Sequence, residues 1–238
     1  MNLLANDTRL WCNLKKRYLS RLVKDILSGL VDRDIIDLLL LINSCKFFVT
    51  TSSCSGRIII VSAPLPGDKR RGGIVTCWHE RVNAGELERT LNKILEASRN
   101  NIVWISVQPL IITMYAYDEY AALRFTKIAL EHGYKYSGYR RVSEGFYYVT
   151  IVGTERLDIP LMFKGVHVVN DYKVLVDILN TYLTLTKVKL HSFKRRVTAL
   201  ITSLNCYDDA TLRGLIRDDL YADLSEHIRS LIDYPTLC

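Results

Sequence analysis

The sequence lacks any apolar run long enough to cross a membrane. Its longest apolar stretch, residues 35–43, is interrupted by Asp37 and falls far short of the ~20 residues that a transmembrane helix needs. Near the N-terminus, Arg9, Lys15 and Lys16 stand where a secretory signal would carry its apolar segment. We therefore expect no membrane partner and a cytoplasmic protein.

Paired metal-ligand motifs and the glycine-rich dinucleotide motif are also absent. The six cysteines form no C-x-x-C pair, and only Cys77 and His79 lie close together. Structural zinc sites use close pairs of such ligands, so we expect no metal, and we expect reduced thiols. No G-x-G-x-x-G follows a predicted strand, which argues against a doubly wound cofactor-binding domain.

The charge balance is basic, with 32 Lys and Arg against 25 Asp and Glu and a formal net charge of +7. Basic proteins suit polyanionic partners, because neutralised phosphates release counterions. The cations concentrate in a loop at residues 69–71 and in a block at residues 187–196. A solvated helix face remains the alternative for the second block. The candidate RNA-binding residues are Lys69, Arg70, Arg71, Lys194, Arg195 and Arg196.

Apolar periodicity predicts pairs of strands alternating with single helices up to about residue 165, and helix signals alone after Pro160. This pattern indicates an α+β fold, with a mixed sheet of about six to eight strands and helices packed on it. We divide the chain into an α+β catalytic domain, residues 1–165, and a helical, basic C-terminal extension, residues 166–238.

The most unusual segment is the stretch Thr50–Arg57, which reads T-T-S-S-C-S-G-R between two strongly apolar segments. We interpret it as a loop joining two strands. Backbone N–H groups in such a loop can cradle an anion, Gly56 permits a positive φ, and Arg57 offers a two-pronged donor. The serines would orient polar edges of a ligand. An ordinary capped loop is the alternative, and packing is the simpler role for Cys54.

At this stretch the sequence resembles the tRNA wybutosine-synthesizing protein 3 family. Further matching positions lie before and after the stretch: Asp34, Asp37 and Asn43 precede it, and His79, Ser137, Gly138, Arg140 and the segment Thr154–Leu157 follow it. The chain departs from the family pattern at Gly73 and Ile74 and at Thr113, where the family tends to carry a histidine.

The resemblance implies methyl transfer from S-adenosyl-L-methionine to N4 of a 4-demethylwyosine-type tricyclic base beside the anticodon of phenylalanine tRNA. It also implies an archaeal-type member, for which we expect the unsubstituted precursor base as substrate, and a fold other than the Rossmann type. His79 and Asp37 are the candidate catalytic bases. A structural hydrogen bond is the alternative for His79, and orientation of Arg57 is the alternative for Asp37. The candidate cofactor-binding residues are Ser52, Ser53, Ser55, Gly56, Arg57, Ser137, Gly138 and Arg140.

Two other functions fit the same residues. A noncatalytic RNA-binding protein would use only the basic segments and would bind RNA without a methyl donor. An enzyme of small phosphorylated metabolites would use residues 50–57 as a phosphate cradle, and RNA would not affect its ligand binding.

Overall fold

A computed structural model describes residues 8–65, 68, 70–142 and 145–204. Its helices are α1 (Thr8–Leu27), a short 3-10 helix (Arg33–Ile35), α2 (Ile36–Ser44), α3 (Ala84–Ala97), α4 (Glu119–Glu131) and α5 (Tyr172–Ser203). Its strands are β1 (Phe48–Cys54), β2 (Arg57–Ala63), β3 (Gly73–Trp78), β4 (Ile102–Gln108), β5 (Ile111–Ala116), β6 (Gly138–Arg141), β7 (Tyr147–Val152), β8 (Leu157–Phe163) and β9 (Val166–His167).

The chain divides into two compact units that interleave in sequence. Unit 1 comprises Met1–Cys54, Ile111–Val152 and His191–Cys238. Unit 2 comprises Ser55–Leu110 and Gly153–Leu190. The predicted functional division at residue 165 is a separate matter and stays a prediction.

Unit 1 is built on an antiparallel sheet of order β1-β5-β7-β6. Side chains alternate between the two faces of a strand, and each face carries helices. On one face, Trp11 and Leu19 of α1 pack with Val49 of β1. On the other face, Phe48 of β1 contacts Phe125 of α4, which contacts a phenylalanine of α5.

Two hydrogen bonds fasten α1 to the loop that precedes β1. The indole nitrogen of Trp11 donates to the carbonyl of Lys46 at 2.8 Å. The ammonium of Lys15, only 3% exposed, donates to the carbonyl of Cys45 at 2.6 Å. These bonds hold the helix against the loop that leads into the stretch Thr50–Arg57, the candidate stretch.

Unit 2 is built on a second antiparallel sheet, of order β3-β2-β4-β8-β9. Helix α3 and the first part of α5 pack on it through alternating β2 and β4 side chains such as Ile58, Ile60 and Ile105. Asn83 caps α3 by accepting a hydrogen bond from the Glu86 amide at 2.8 Å, as its position before an apolar helical pattern predicts.

The α+β class and the absence of a doubly wound sheet among the described residues are confirmed. The strands nevertheless form two antiparallel sheets rather than one mixed sheet. Strands β1 and β2 belong to different sheets, and only Ser55 and Gly56 separate them. The hydroxyl residues before this point extend β1, because β5 supplies ladder partners as far as Cys54.

The expectation of helix alone after Pro160 is wrong, because Pro160 lies within β8 and β9 follows. A proline donates no backbone hydrogen bond and tends to occur at edges or bulges. Pro160 meets both conditions, since the β4–β8 register shifts beside it and β9 pairs only with the end of β8.

The expectation of reduced thiols is wrong for Cys45, which is disulfide-bonded. Cys12, Cys54 and Cys77 are free.

Every helix among the described residues is too short or too polar to span a membrane.

Candidate functional site

The first half of the candidate stretch is a strand with a bulge. The pairing of β1 with β5 shifts between Thr50 and Ser52, so Thr51 has no partner residue. The hydroxyl of Thr51 shares a 2.8 Å hydrogen bond with that of Thr113, which also donates to the carbonyl of Ser52 at 3.1 Å. β-bulges often re-aim side chains beside functional sites. Thr113, where the chain departs from the resembled family, therefore helps to hold the bulge.

Asn43 fixes the start of the same stretch from α2. Its amide nitrogen donates to the hydroxyl of Thr50 at 2.6 Å, and its amide oxygen accepts from the Thr50 backbone at 3.0 Å. Both residues are buried, so these bonds form without competition from water. The sequence singled out Asn43 only through the resemblance, and the structure places it as a support for β1.

Ser52 and Ser53 line a pocket within unit 1. The pocket has a volume of about 120 Å³ and lies against α1, whose Tyr18, Arg21 and Asp25 contribute to its wall. Ser52 is exposed and Ser53 is half-buried. These two candidate residues are therefore accessible to a ligand.

Ser55 and Gly56 are instead fully enclosed in unit 2. The ammonium of Lys187, on α5, donates to the Ser55 hydroxyl at 2.6 Å and to the Gly56 carbonyl at 3.1 Å. Gly56 has φ +100°, as its place in the turn predicts. A Cβ there would lie 2.6 Å from Cγ2 of Thr186. The Ser55 hydroxyl thus holds the turn together, and its ligand-orienting role stays a prediction.

Arg57 begins β2 directly after this enclosed turn. Within the described residues, the one hydrogen bond of its side chain runs from Nε to Oε1 of Gln108, at 2.9 Å. Gln108 is the partner of Arg57 in the β2–β4 ladder, so the strand pairing orients the guanidinium. Its two terminal nitrogens are left to bind an anion in the two-pronged manner that arginine favours.

His79 follows β3 immediately and is half-buried. The segment after it is held by Asn180 of α5, which accepts from the Val82 amide at 3.0 Å and donates to the Val82 carbonyl at 2.8 Å. Trp78 donates to Glu86 at 2.7 Å on the other side. His79 therefore sits in a segment that is fixed at both ends.

Asp37, the second candidate base, forms an ion pair inside unit 1. Its Oδ2 accepts from the ammonium of Lys194 at 2.8 Å, and both side chains are at least 80% buried. The roles expected of Asp37, as a base or as the residue that orients Arg57, stay predictions beside this described contact. The same contact turns Lys194 inward, whereas Arg195 and Arg196 are exposed.

Ser137, Gly138 and Arg140 lie at the β6 end of the unit 1 sheet. The Ser137 hydroxyl accepts from the Val152 amide at 3.2 Å, which is a structural contact. Arg140 is exposed, and its guanidinium carbon lies 5.5 Å from the ring centre of Tyr148. The Tyr148 hydroxyl lies 3.3 Å from that of Thr51. The sheet therefore brings Arg140 onto the same surface as the bulge of the candidate stretch.

The basic loop before β3 is described in part, and Lys69 lies outside the described residues. Arg70 and Arg71 are exposed. Asp68 accepts from both of their backbone amides, and the Arg71 side chain donates to it at 2.8 Å. Hydrogen bonds from Arg71 hold the pKa of Asp68 below its usual value. Arg70 is therefore the freer cation of the two.

Sequence reasoning missed the roles of three α5 residues, Asn180, Thr186 and Lys187. Each contacts a segment far away in the sequence, so helical periodicity carries no sign of the contact. Lys187 was read only as part of a cationic block. An ion pair with Glu155 likewise removes Lys189 from the exposed charge of that block.

The Lys189–Glu155 pair leads to a pH-dependent prediction. Burial acts to raise the pKa of Glu155, but hydrogen bonds from Lys189 and Thr154 outweigh it and place the pKa below the usual 4.5. A carboxyl group whose pKa is lower in the folded state than in the unfolded state stabilises the protein at pH values above its unfolded-state pKa. This stabilisation is lost as the pH falls through the folded-state pKa. We expect Lys189→Met to lower the denaturant midpoint at neutral pH, by an amount that shrinks as the pH falls below 4.5.

Lys173→Met is the matched control, because Lys173 is exposed on the same helix. It should change the midpoint little at any pH. A loss in Lys189→Met that stays constant down to acid pH would contradict the assignment to Glu155.

Comparison with known proteins extends the resemblance beyond these motifs. A profile of the family described as Methyltransferase TYW3 matches residues 13–205, which adds most of α1 and all of α5 to the range that the motifs cover. The structure of the PH1069 protein from Pyrococcus horikoshii superposes with a TM-score of 0.71 at 32% identity, covering 78% of this chain and 94% of that one.

Several relatives have names that state an activity. A tRNA(Phe) 7-((3-amino-3-carboxypropyl)-4-demethylwyosine(37)-N(4))-methyltransferase of Thermococcus sibiricus is 38% identical over 188 residues, covering 78% of this chain and 93% of the relative. The enzyme of the same name, numbered 1, from Pyrococcus horikoshii is 34% identical over 188 residues, covering 78% of this chain and 94% of the relative. On the strength of its matched sequence, its fold and the stretch at residues 50–57, this chain belongs to the Methyltransferase TYW3 family.

Proposed function

We propose that the protein transfers a methyl group from S-adenosyl-L-methionine to N4 of a demethylwyosine-type base at position 37 of phenylalanine tRNA, as the names of its relatives state for them. The observation that carries the proposal is the candidate stretch itself. Its fixed turn leaves the terminal nitrogens of Arg57 open to a ligand, and its bulge leaves Ser52 exposed.

The substrate is narrowed by the names of the archaeal relatives, which include a 3-amino-3-carboxypropyl substituent. The expectation that archaeal members act on the unsubstituted precursor is therefore wrong for these relatives. We extend the substituted base to this chain as part of the proposal.

The residues present suit a reaction that depends on positioning. A bound donor would supply its methyl group to the ring nitrogen by in-line displacement, in which the bond to the sulfonium sulfur breaks as the bond to nitrogen forms. Holding two reactants in line can supply much of the rate enhancement. In unit 1, Ser52 and Ser53 present hydroxyls to a pocket that an arginine and an aspartate also line. In unit 2, Arg57 would bind a carboxylate or a phosphate. Each of these groups of side chains, taken by itself, suits the charged amino-acid end of a methyl donor.

His79 is the base that we propose for the proton of the acceptor nitrogen, because a neutral imidazole has a ring nitrogen that can accept a proton. Asp37 is a weaker candidate, since Lys194 occupies one of its carboxylate oxygens within a largely buried pair. We assign Asp37 instead to holding α2 against α5 within unit 1.

A run of neighbouring tyrosine rings and guanidinium groups supports RNA as the partner. On one surface of unit 1, Arg17 lies 5.0 Å from the Tyr18 ring centre, and Tyr18, Tyr115 and Tyr148 follow at centroid separations of 5.7 and 5.1 Å. Arg140 covers the far end. Tyrosine rings stack on bases and arginines bind phosphates in many RNA-binding proteins. Arg70, Arg195 and Arg196 would add more distant phosphate contacts.

The proposed site draws on residues from both sides of position 165, because Lys187 of α5 holds the turn at Ser55. The catalytic domain of residues 1–165 would therefore depend on the extension of residues 166–238. A tRNA substrate would place the protein in the cytoplasm.

The decisive experiment follows methyl transfer from labelled S-adenosyl-L-methionine to phenylalanine tRNA that carries the substituted, unmethylated base. The control is the same tRNA with an ordinary guanosine at that position. We expect label only in the first RNA. RNA binding without donor binding or transfer would contradict the proposal and favour a noncatalytic RNA-binding protein.

A further inference from the structure

The pocket against α1 in unit 1 combines a cation, an anion and hydroxyls in a small space. Its polar wall contains Arg21 and Asp25 of α1 and Thr51, Ser52 and Ser53 of β1. Its volume of about 120 Å³ is well below the ~300–1,000 Å³ of pockets that enclose a drug-sized ligand. The pocket is thus suited to one end of a larger molecule.

The two charged side chains are available to a ligand. Arg21 Nε lies 3.5 Å from Asp25 Oδ2, and the side chains are 68% and 36% exposed. An exposed pair one helical turn apart stabilises a protein by only ~0.2–1 kcal/mol. A ligand that offers its own opposite charges can therefore replace this pairing at little cost.

The rest of the pocket is fixed by backbone geometry. Helix α1 ends in a Schellman motif, in which Gly29 (φ +67°) donates to the Ile26 carbonyl at 3.0 Å and Leu30 donates to the Asp25 carbonyl at 2.8 Å. This turn places Leu30 in the pocket wall. On the opposite side, the bulge at Thr51 sets the hydroxyl residues. A preformed site of this kind loses little entropy on binding.

We propose that this pocket binds an α-amino-acid group, with its carboxylate on Arg21, its ammonium on Asp25 and the hydroxyls of Ser52 and Ser53 completing its hydrogen bonds. The assignment rests on the proposed function, because both reactants carry this group. It is the methionyl end of the donor, and it is also the 3-amino-3-carboxypropyl substituent in the names of the relatives. Arg21 and Asp25 lie outside the motifs that suggested the family.

The first test uses L-methionine as the probe and titration calorimetry as the measurement. We expect binding to the wild-type chain, and weaker binding of 4-(methylthio)butanoate, which lacks the ammonium, and of 3-(methylthio)propylamine, which lacks the carboxylate. Arg21→Gln and Asp25→Asn should each weaken L-methionine binding about tenfold or more, since each removes a charge-assisted hydrogen bond. Both residues lie on the helix surface, so the variants should remain folded.

The matched controls are Lys127→Gln and Glu131→Gln, which disrupt an exposed pair with the same spacing on α4. They should leave L-methionine binding unchanged. Equal losses in the α1 and α4 variants would overturn the proposal, as would a wild-type chain that does not distinguish L-methionine from its two analogues.

The second test identifies which reactant supplies the group. If the donor does, Arg21→Gln should weaken binding of S-adenosyl-L-methionine but not of 5′-methylthioadenosine, which lacks the amino-acid end. If the substrate does, Arg21→Gln should leave donor binding intact and abolish the preference for tRNA with the substituted base over tRNA with the unsubstituted one. Either result supports the pocket. If Arg21→Gln shows neither effect, the proposal is overturned. A wild-type chain without methyl transfer would end the proposed function, and the L-methionine titrations would still decide the pocket.

Discussion

Replacing Arg57 with alanine should reduce methyl transfer by about 100-fold, because it removes two charge-assisted hydrogen bonds to the anionic end of a ligand, each worth ~1.5–3 kcal/mol. The free energy of unfolding should change by only about 1 kcal/mol, since the half-buried side chain forms a single hydrogen bond, to Gln108, among the described residues. The measurements are single-turnover methyl transfer and urea denaturation of the same preparations.

Three further variants separate the possible causes. Arg57→Lys keeps the charge but not the planar fork, and should recover only part of the activity. Gln108→Ala releases the orienting contact and should reduce transfer less than Arg57→Ala does. Arg89→Ala removes an exposed arginine of α3 in the same unit and should have no effect. Wild-type turnover in Arg57→Ala would remove the candidate stretch from the site.

Gly56→Ala should lower the free energy of unfolding by about 2 kcal/mol or more, for two separable reasons. A residue with a Cβ is strained by ~1–3 kcal/mol at an unfavourable backbone conformation, and Gly56 has φ +100°. The new Cβ would also lie 2.6 Å from Cγ2 of buried Thr186 and 3.1 Å from the Gln108 carbonyl. Gly73→Ala is the control, because a Cβ there would meet nothing within 4 Å, and it should change stability by less than about 1 kcal/mol.

A double-mutant cycle distinguishes the clash from the backbone strain. Thr186→Ser removes Cγ2 and keeps the hydroxyl that donates to the Tyr182 carbonyl. The double variant Gly56→Ala with Thr186→Ser should lose less free energy of unfolding than the sum of the losses in the two single variants, because the contact with Cγ2 is gone. Strict additivity in urea denaturation would show that Thr186 does not limit the space at Gly56.

Local signals were enough wherever neighbouring residues decide the structure. Asp118 before an apolar helical pattern predicts the start of α4, and its carboxylate accepts from the Ala121 amide at 2.8 Å. Gly133 predicts the end of that helix and has φ +89°. Asp171 caps α5 in the same way. Caps and left-handed glycines act within one helical turn, so these boundaries could be read from the sequence.

Strand partners were harder to predict, because strand pairing depends on residues far away in the chain. The segment Thr50–Cys54 was read as a loop on account of its hydroxyls, yet it pairs with β5 as part of a strand. Pro160 was read as the end of the strands, yet a register shift and an edge position accommodate it. Both interpretations relied on local composition, whereas pairing with a distant strand decides the structure of these two segments.

The α+β class, the ends of most helices and the family signature at Thr50–Arg57 could be predicted from the sequence. The three-dimensional structure was needed to show that β1 and β2 belong to different sheets, that Lys187 holds the turn at Ser55, and that Asp37 pairs with Lys194. The reason is sequence separation. These contacts join residues more than 130 positions apart, and a hydrogen-bonded lysine has the same local pattern as one that faces solvent.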